Sequence, residues 1–157
     1  MADTKRGKQF EARFQQDWMR IFPNTLVFRL KDQKTGYKET SKNPCDFLCL
    51  PSNELFMVEC KEHKGASIPF SAIPQYERLL EYKDVKNVRP GVVIWFSEKD
   101  IVLWVSIQEM EKMVLAGEKS IGIRMLKEDY NIVIIPSKKL RVFMESDYSI
   151  LVNKNGD

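Results

Sequence analysis

Residues 45–61 read CDFLCLPSNELFMVECK, and this stretch decides the fold that the sequence predicts. The runs 45–50 and 55–61 are apolar and rich in residues that favour strands, whereas residues 51–54 between them are turn-forming. We therefore predict an antiparallel hairpin with a four-residue connection. Asp46, Glu59 and Lys61 stand toward the open end of this hairpin.

The register of the hairpin determines which side chains meet. Leu50 and Leu55 flank the turn and are expected to face each other. In that register Asp46 faces Glu59, and opposed residues of an antiparallel pair have Cβ atoms about 4.5–5.5 Å apart on the same face. Lys61 follows Glu59 by two residues and shares that face. The hairpin is thus predicted to bring two carboxylates and an ammonium together.

Two carboxylates held this close repel each other unless a cation lies between them. A hard divalent ion with oxygen ligands is the usual solution, and Mg²⁺ fits best. Such an ion polarises a phosphodiester and lowers the pKa of a bound water, while a neighbouring ammonium orients that water or stabilises the transition state. The cluster therefore predicts metal-dependent phosphodiester hydrolysis.

The tripeptide Glu-x-Lys is not specific by itself. Glu81-Tyr82-Lys83 has the same spacing, but it lies in a helical-looking stretch with no acidic residue on a preceding paired strand. Glu59-Cys60-Lys61 instead ends an apolar strand, where ionic residues are hard to accommodate. A structural salt bridge at a strand end remains the alternative interpretation of Glu59 and Lys61.

The three cysteines and the single histidine are residue types that could bind zinc. Cys45 and Cys49 stand four residues apart on one predicted strand, which separates them by about 13 Å, too far to share an ion. The number of cysteines, three, is odd, which disfavours disulfides in an intracellular chain. We interpret all three as small buried apolar residues, and His63 as a structural residue or a substrate contact.

Composition predicts one folded domain over residues 1–157, with a flexible tail at 153–157. The chain has 157 residues, of which 43% are hydrophobic, enough to bury a core. No apolar run is long enough to span a bilayer, and the polar start lacks the apolar segment of a signal peptide. An intracellular, cytoplasmic location is expected.

Basic residues are concentrated in a predicted loop or arm over residues 29–44. The formal net charge of the chain is only +3, so their placement is more informative than the total. Phosphate-backbone binding depends on such charges, although an ordinary solvated loop would look the same. The candidate DNA contacts are Arg29, Lys31, Lys34, Lys38 and Lys42 in the arm, Lys5, Arg6 and Lys8 at the start, and His63 and Lys64 after the hairpin.

The remaining patterns predict helices on either side of further strands. Aromatic residues at helical spacing indicate a helix over 7–22, and Ser106 with Glu109 forms a capping box for a helix ending at Gly117. We also predict a helix over 71–84. Predicted strands cover 25–30, 91–96, 101–105, 131–135 and 140–144, with an apolar tail at 148–152. The expected fold is an α/β domain with a mixed sheet flanked by helices.

Asp46 and Glu59-Cys60-Lys61, on adjacent strands after an N-terminal helix, resemble the PD-(D/E)xK nuclease superfamily, which implies a restriction-endonuclease-like fold. A more specific resemblance extends over residues 7–80. The segments Asn43-Pro44-Cys45-Asp46-Phe47, Val58-Glu59-Cys60-Lys61-Glu62 and Pro69-Phe70, followed by Gln75, are similar to RecU-type Holliday-junction resolvases, including phage-encoded ones.

The resemblance implies a role for each matching residue. Asp46, Glu59 and the main-chain carbonyl of Cys60 would bind Mg²⁺ or Mn²⁺, and Lys61 would position water or balance charge at the scissile phosphate. Glu11 matches an acidic residue beside the metals. Gln75 matches a family glutamine near the active site. Residues 29–44 correspond to the arm that projects into the junction in the family, and this arm looks short here.

The function predicted from this resemblance is resolution of four-way DNA junctions by a homodimer. A two-fold enzyme matches the two-fold pseudo-symmetry of the junction. Two alternatives remain: a nuclease of the superfamily with a restriction-type or flap target, and a non-catalytic nucleic-acid-binding module. A phage protein acting in a bacterial host would fit the small size.

Overall fold

The computed structural model describes residues 5–31 and 43–153. The helices in these residues are α1 (Lys5–Ile21), α2 (Tyr76–Leu80), α3 (Ile107–Leu115) and α4 (Ile150–Asn153), with 3₁₀ turns at Phe70–Ala72 and Ile123–Lys127. The strands are β1 (Leu26–Arg29), β2 (Phe47–Leu50), β3 (Leu55–His63), β4 (Ser67–Pro69), β5 (Val88–Phe96), β6 (Ile101–Ser106), β7 (Ser120–Gly122), β8 (Val133–Ile134), β9 (Ser137–Lys139) and β10 (Met144–Ser146).

A mixed sheet organises the described residues, with the strand order β1-β2-β3-β5-β6-β8. Only the central pair β3 and β5 is parallel, and the other neighbours are antiparallel. β3 and β5 therefore end at the same edge of the sheet, at His63 and Phe96, which we call the carboxyl end. The α/β class predicted from the sequence, a mixed sheet flanked by helices, is confirmed.

Each face of the sheet is buried by a different set of elements. On the α1 face, Phe14 and Trp18 of the helix pack in one cluster with Phe47, Val58 and other inward side chains of the strands. On the opposite face, the α3 face, a second cluster joins the strands to α3, α2 and the 3₁₀ turn after β7. Two-sided burial explains why β3, β5 and β6 read as continuous apolar runs.

Most of the predicted elements are confirmed. The first helix starts two residues earlier than predicted, and β5 and β6 form the predicted hairpin with Phe96 opposite Ile101. The backbone N–H of Glu109 donates to the Ser106 hydroxyl at 3.3 Å, which is the predicted cap. α3 is followed by Gly117 at φ 87°, where glycine avoids the cost of a left-handed backbone.

The predicted helix over residues 71–84 is wrong in extent. The chain forms a 3₁₀ turn at Phe70–Ala72, then the short α2, then turns held by i to i+3 hydrogen bonds such as Lys83 N–H to Leu80 O. Pro74 explains the interruption, because a proline excludes the preceding residue from helical geometry; Ile73 has φ −122° and ψ 70°.

The C-terminal prediction is also corrected. Residues 140–144, predicted as a strand, are mostly the connection of a hairpin between β9 and β10, and β9 occupies residues predicted as a turn. The apolar tail at 148–152 includes the start of α4, with Tyr148 and Leu151 buried against α1. Residues 154–157 of the predicted tail lie outside the described residues. No helix in the described ranges is long and apolar enough to cross a membrane.

Candidate metal-dependent nuclease site

The predicted register of the β2–β3 hairpin is confirmed. Phe47 lies opposite Val58 and Cys49 lies opposite Phe56, and the connection is residues 51–54. The ladder does not continue to the predicted pair of Asp46 and Glu59, because the Asp46 N–H donates to Val58 O, one residue out of register. Asp46 stands immediately before β2, at the point where the ladder between the two strands stops.

Backbone and side-chain hydrogen bonds hold Asp46 against β3. Its backbone N–H donates to Val58 O at 3.0 Å, and its own carbonyl accepts from Leu30 N–H at 2.8 Å. The backbone N–H of Cys60 donates to Asp46 Oδ2 at 2.9 Å. The Asp46 carboxylate thus bonds directly to the backbone of the tripeptide that contains Glu59 and Lys61.

Glu59 is buried in the middle of the sheet. Its neighbours Val58 and Cys60 face α1, so Glu59 and Lys61 project from the α3 face. Glu59 is 2% exposed, and Lys61 Nζ lies 3.2 Å from Glu59 Oε2. Glu59 Oε1 is buried and has no hydrogen-bond partner within the described residues.

Burial strongly affects the protonation of this site. Desolvation raises the pKa of Glu59 well above its ordinary value, and the negative charge of Asp46 raises it further, while Lys61 acts in the opposite direction. Burial likewise raises the pKa of the Cys60 thiol, with Asp46 and Glu59 adding to the effect. The Cys60 thiol is therefore a neutral, buried group.

Glu11 approaches the site from α1. It is 5% exposed, and Arg29 Nη2 donates to Glu11 Oε1 at 2.7 Å. The charge of Glu11 is the smallest of the causes that raise the pKa of Glu59. The contacts thus join Asp46 to the Cys60 backbone and Lys61 to Glu59, and they pair Glu11 with Arg29.

Both ends of the arm are tied beside Asp46. The side chain of Asn43 donates to Lys31 O at 2.7 Å, next to the Leu30 to Asp46 backbone bond. Arg29 ends β1 opposite Phe47. The arm therefore leaves and rejoins the fold at the candidate site, although Lys34, Lys38 and Lys42 themselves lie outside the described residues.

A solved structure shares this fold. It is that of Archaeoglobus fulgidus Hjc, a Holliday junction resolvase from an archaeal hyperthermophile, and the likeness has a TM-score of 0.54. It covers 74% of this chain and 87% of that chain, at 18% sequence identity. At this identity the likeness shows the fold. No protein-family model and no curated protein matches the sequence.

Other predicted site residues lie before α2, at the end of β3 and on α1. Gln75 precedes α2 in a segment whose Ile73 and Leu79 pack on the α3 face, and its Oε1 is buried without a hydrogen-bond partner in residues 5–31 and 43–153. His63 ends β3 with its ring edge-on to Phe96, 6.4 Å between centroids, and Lys64 after it is exposed. Lys5, Arg6 and Lys8 are exposed in the first turns of α1.

The rival tripeptide at residues 81–83 has no comparable setting. Glu81 and Tyr82 are exposed, and Lys83 Nζ pairs with Glu111 of α3 at 2.9 Å. This Glu-x-Lys lies in a surface turn with its lysine committed to an ion pair. The two tripeptides therefore differ in setting, since Glu81-Tyr82-Lys83 lies in a surface turn and Glu59-Cys60-Lys61 lies in strand β3.

The donors of the site suit a hard cation, but they are few. Across the described ranges, no group of three or more His, Cys, Asp or Glu side chains is arranged to hold a metal ion. The available oxygens are those of Asp46 and Glu59 together with the Cys60 carbonyl, and the buried Glu59 Oε1 is an acceptor without a donor. Oxygen-only ligands with open positions match Mg²⁺, which usually keeps several waters.

The ion pair between Arg29 and Glu11 could not be read from the sequence. The two residues are 18 positions apart on a strand and a helix, and no local pattern relates them. Arg29 was predicted only as a DNA contact. Its side chain is 42% exposed, so it can also reach a ligand from its place beside Glu11.

We predict that the protein without metal loses stability as Glu59 ionises. The folded-state pKa is raised, so the stabilising contribution is fully present below the ordinary value of 4.5 and is lost as pH rises through the folded-state pKa. A Glu59→Gln variant cannot ionise there and should have the higher Tm at neutral pH in EDTA. Thermal melts of both proteins from acid to neutral pH measure the difference.

Glu81→Gln is the matched control for that comparison, because it removes a carboxylate at an exposed position. It should leave the pH dependence of the Tm close to that of the wild type. A Glu59→Gln protein that melts at or below the wild-type Tm at neutral pH would contradict the prediction.

Proposed function

We propose that the chain is a metal-dependent DNA endonuclease that resolves four-way junctions. The observation that carries the proposal is the Asp46 carboxylate bonded to the Cys60 N–H, beside Glu59 and the Lys61 ammonium. The fold shared with a solved Holliday junction resolvase supports DNA as the substrate. The RecU-type relationship and a phage origin belong to the same proposal, as does an intracellular site of action.

Asp46, Glu59 and the Cys60 carbonyl are proposed to hold Mg²⁺ or Mn²⁺. When bound, such an ion polarises the phosphodiester and lowers the pKa of the attacking water. The Cys60 N–H fixes the orientation of the Asp46 carboxylate, and strand β3 fixes that of Glu59. Preorganised ligands of this kind need little rearrangement when substrate arrives.

Lys61 is proposed to act on the water or on the scissile phosphate. Its ammonium lies 3.2 Å from Glu59 Oε2, and its side chain is 17% exposed. A partly exposed cation at the rim of a buried carboxylate can reach an incoming phosphate. Glu11 adds a further carboxylate, which Arg29 holds in place. Gln75 is proposed as a polar contact near the same face.

DNA binding is proposed to rely on phosphate contacts from the basic residues at the carboxyl end of the sheet. Arg29 and Lys31 stand at the base of the arm beside Asp46, and Lys64 follows β3. Contacts of this kind position the backbone without reading sequence. The proposed set is Arg29, Lys31, Lys34, Lys38, Lys42, Lys5, Arg6, Lys8, His63 and Lys64.

We predict symmetric nicks in a synthetic four-way junction with Mg²⁺. Asp46→Asn and Lys61→Ala should bind the junction but cleave it roughly 10²-fold or more slowly, because the first removes a proposed metal ligand and the second removes the ammonium beside the reacting phosphate. A gel assay of junction, flap, linear duplex and single-stranded DNA separates resolvase activity from flap or restriction-type activity.

Glu81→Gln is again the control, since it alters the second Glu-x-Lys without touching the cluster. It should cleave like the wild type. Normal cleavage by both Asp46→Asn and Lys61→Ala would show that the site is misassigned, and preferential cutting of a flap or a linear duplex would replace the junction as the substrate.

Metal binding separates the enzyme from a non-catalytic DNA-binding module. Calorimetric titration with Mn²⁺ or Mg²⁺ should give a binding isotherm for the wild type that is lost in Glu59→Gln, because the buried carboxylate is a proposed ligand. An ion pair with Lys61 alone would produce no carboxylate-dependent heat, and that result would favour the binding module.

A homodimer is proposed because one chain supplies one such cluster, whereas resolving a junction requires two opposed cuts. β1 lies at the edge of the described sheet and exposes Leu26 and Phe28, at 51% and 55%, next to Leu50 at 39%. Leu26 pairs with Leu50, so the three side chains share one face. An edge strand with apolar side chains readily pairs with another chain.

We predict that Phe28→Glu shifts the protein from dimer to monomer in sedimentation velocity runs, because it puts a charge into this patch. Met19→Glu is the matched control, since Met19 is exposed to a similar extent, 51%, on α1. A monomeric wild type, or a Phe28→Glu variant that stays dimeric, would contradict the proposed interface.

A further inference from the structure

The connection between β9 and β10 carries a dense basic cluster that the proposed DNA-binding set does not contain. Residues 137–144 read SKKLRVFM and include no acidic residue. Lys138, Lys139 and Arg141 are all exposed. The turn itself is closed by a hydrogen bond of 2.8 Å from Leu140 N–H to Phe143 O. We call residues 138–143 the hairpin tip.

Packing places the hairpin tip at the carboxyl end of the sheet. The ring of Phe143 lies 5.7 Å from that of Trp95, and Trp95 lies 5.6 Å from Phe10 of α1. Trp95 is opposite Glu62 in the β3–β5 ladder, one residue after Lys61. The tip therefore reaches the same end of the molecule as the carboxylate cluster.

The base of the hairpin is fixed along α1. Ser146 N–H donates to Asp17 Oδ2 at 3.0 Å, and Arg20 Nη2 donates to Ser146 O at 3.1 Å. One pair further toward the tip, Arg13 lies 3.6 Å from Glu145. These contacts run up the helix toward its first turns, where Lys5, Arg6 and Lys8 are exposed. The tip is thus held beside a second group of cations.

The cation of Lys139 is available to a ligand. In the structure Lys139 Nζ lies 2.6 Å from Asp100 in the turn between β5 and β6, with the side chains 45% and 49% exposed. An ion pair with both partners this exposed contributes little stability. Glu98 and Asp100 are the acidic residues of that turn, and a phosphate can replace Asp100 as the partner of Lys139.

We propose that the hairpin tip is a second DNA-backbone contact, with Lys139 and Arg141 bound to phosphates. This inference rests on the proposed function. β1, where the arm begins, and β6, which follows Asp100, are four strand spacings apart, about 19 Å. A duplex carries roughly eleven phosphate charges along that length, so the arm and the tip would hold the DNA on either side of the cleaved position.

Binding of a labelled four-way junction in EDTA, by fluorescence anisotropy at several salt concentrations, tests the inference. Lys139→Ala and Arg141→Ala should each lower the slope of log affinity against log salt by about 0.9 and weaken binding about fivefold at 0.15 M salt. Linear duplex should be affected to the same degree, because phosphate contacts carry no sequence or structure preference. Melting curves of the variants should match the wild type.

Lys86→Ala is the matched control. Lys86 is exposed in the turn before β5, at the opposite end of the sheet from the tip. Its loss removes one positive charge from the chain without removing a proposed contact. The salt slope of this variant should equal that of the wild type.

Asp100→Asn tests whether the Asp100 carboxylate competes with DNA for Lys139. Asp100 has φ 52°, a left-handed conformation that asparagine adopts readily, so the turn is preserved. Removing this carboxylate should tighten DNA binding about twofold or more, the reverse of Lys139→Ala. If the pair only stabilised the hairpin, both variants would act in the same direction.

Unchanged affinity and salt slope in Lys139→Ala and Arg141→Ala would overturn the inference while leaving the proposed function intact, provided that the wild type binds the junction. A wild type that binds neither junction nor duplex would overturn both. Weaker binding by Asp100→Asn would also contradict a phosphate contact at Lys139.

Discussion

The register of the β2–β3 hairpin is the constraint on which the candidate site depends. Because Phe47 lies opposite Val58, Asp46 immediately before β2 meets the backbone of Cys60, beside Glu59 and Lys61. A shift of one residue would turn Glu59 toward α1 and separate the two carboxylates. The buried aromatic residues on the α1 face fix that register, so the core and the site are specified by the same strand pairing.

Burying the Glu59 carboxylate lowers the stability of the fold, and this cost points to a functional role. Glu59 lies between apolar strands with one oxygen unpaired in the described residues, and burial and Asp46 both raise its pKa. A core position occupied by an apolar residue would be more stable. Retaining a carboxylate there is expected where function depends on it, since natural proteins lose stability at sites that bind charged ligands.

Strands and helix ends that depend on neighbouring residues could be predicted from the sequence. Alternating and continuous apolar runs located β2, β3, β5 and β6, and Ser106 with Glu109 located the start of α3. The helix predicted over residues 71–84 is interrupted because Pro74 excludes Ile73 from helical geometry. The β9–β10 hairpin was missed because its residues are polar or isolated apolar, and its position depends on contacts between Ser146 and Asp17 that are distant in the chain.

In the candidate site too, local spacing could be read from the sequence, whereas contacts between distant segments could not. Asp46, Glu59 and Lys61 are related by strand spacing and could be placed from the sequence, whereas the Arg29–Glu11 pair depends on how α1 crosses the sheet. The basic density at Lys138, Lys139 and Arg141 is visible in the sequence. Its importance becomes apparent only when Phe143 and Trp95 place it at the carboxyl end of β5.

Anomalous diffraction from crystals of the protein soaked in Mn²⁺ would show whether Asp46 and Glu59 bind a metal ion, because it locates the ion without relying on activity. We predict an anomalous peak within coordination distance, about 2.0–2.3 Å, of carboxylate oxygens of both Asp46 and Glu59, with the Cys60 carbonyl as a further ligand. A fully soaked crystal with no peak at these residues, and with the Glu59–Lys61 ion pair intact, would contradict a metal site at Asp46 and Glu59.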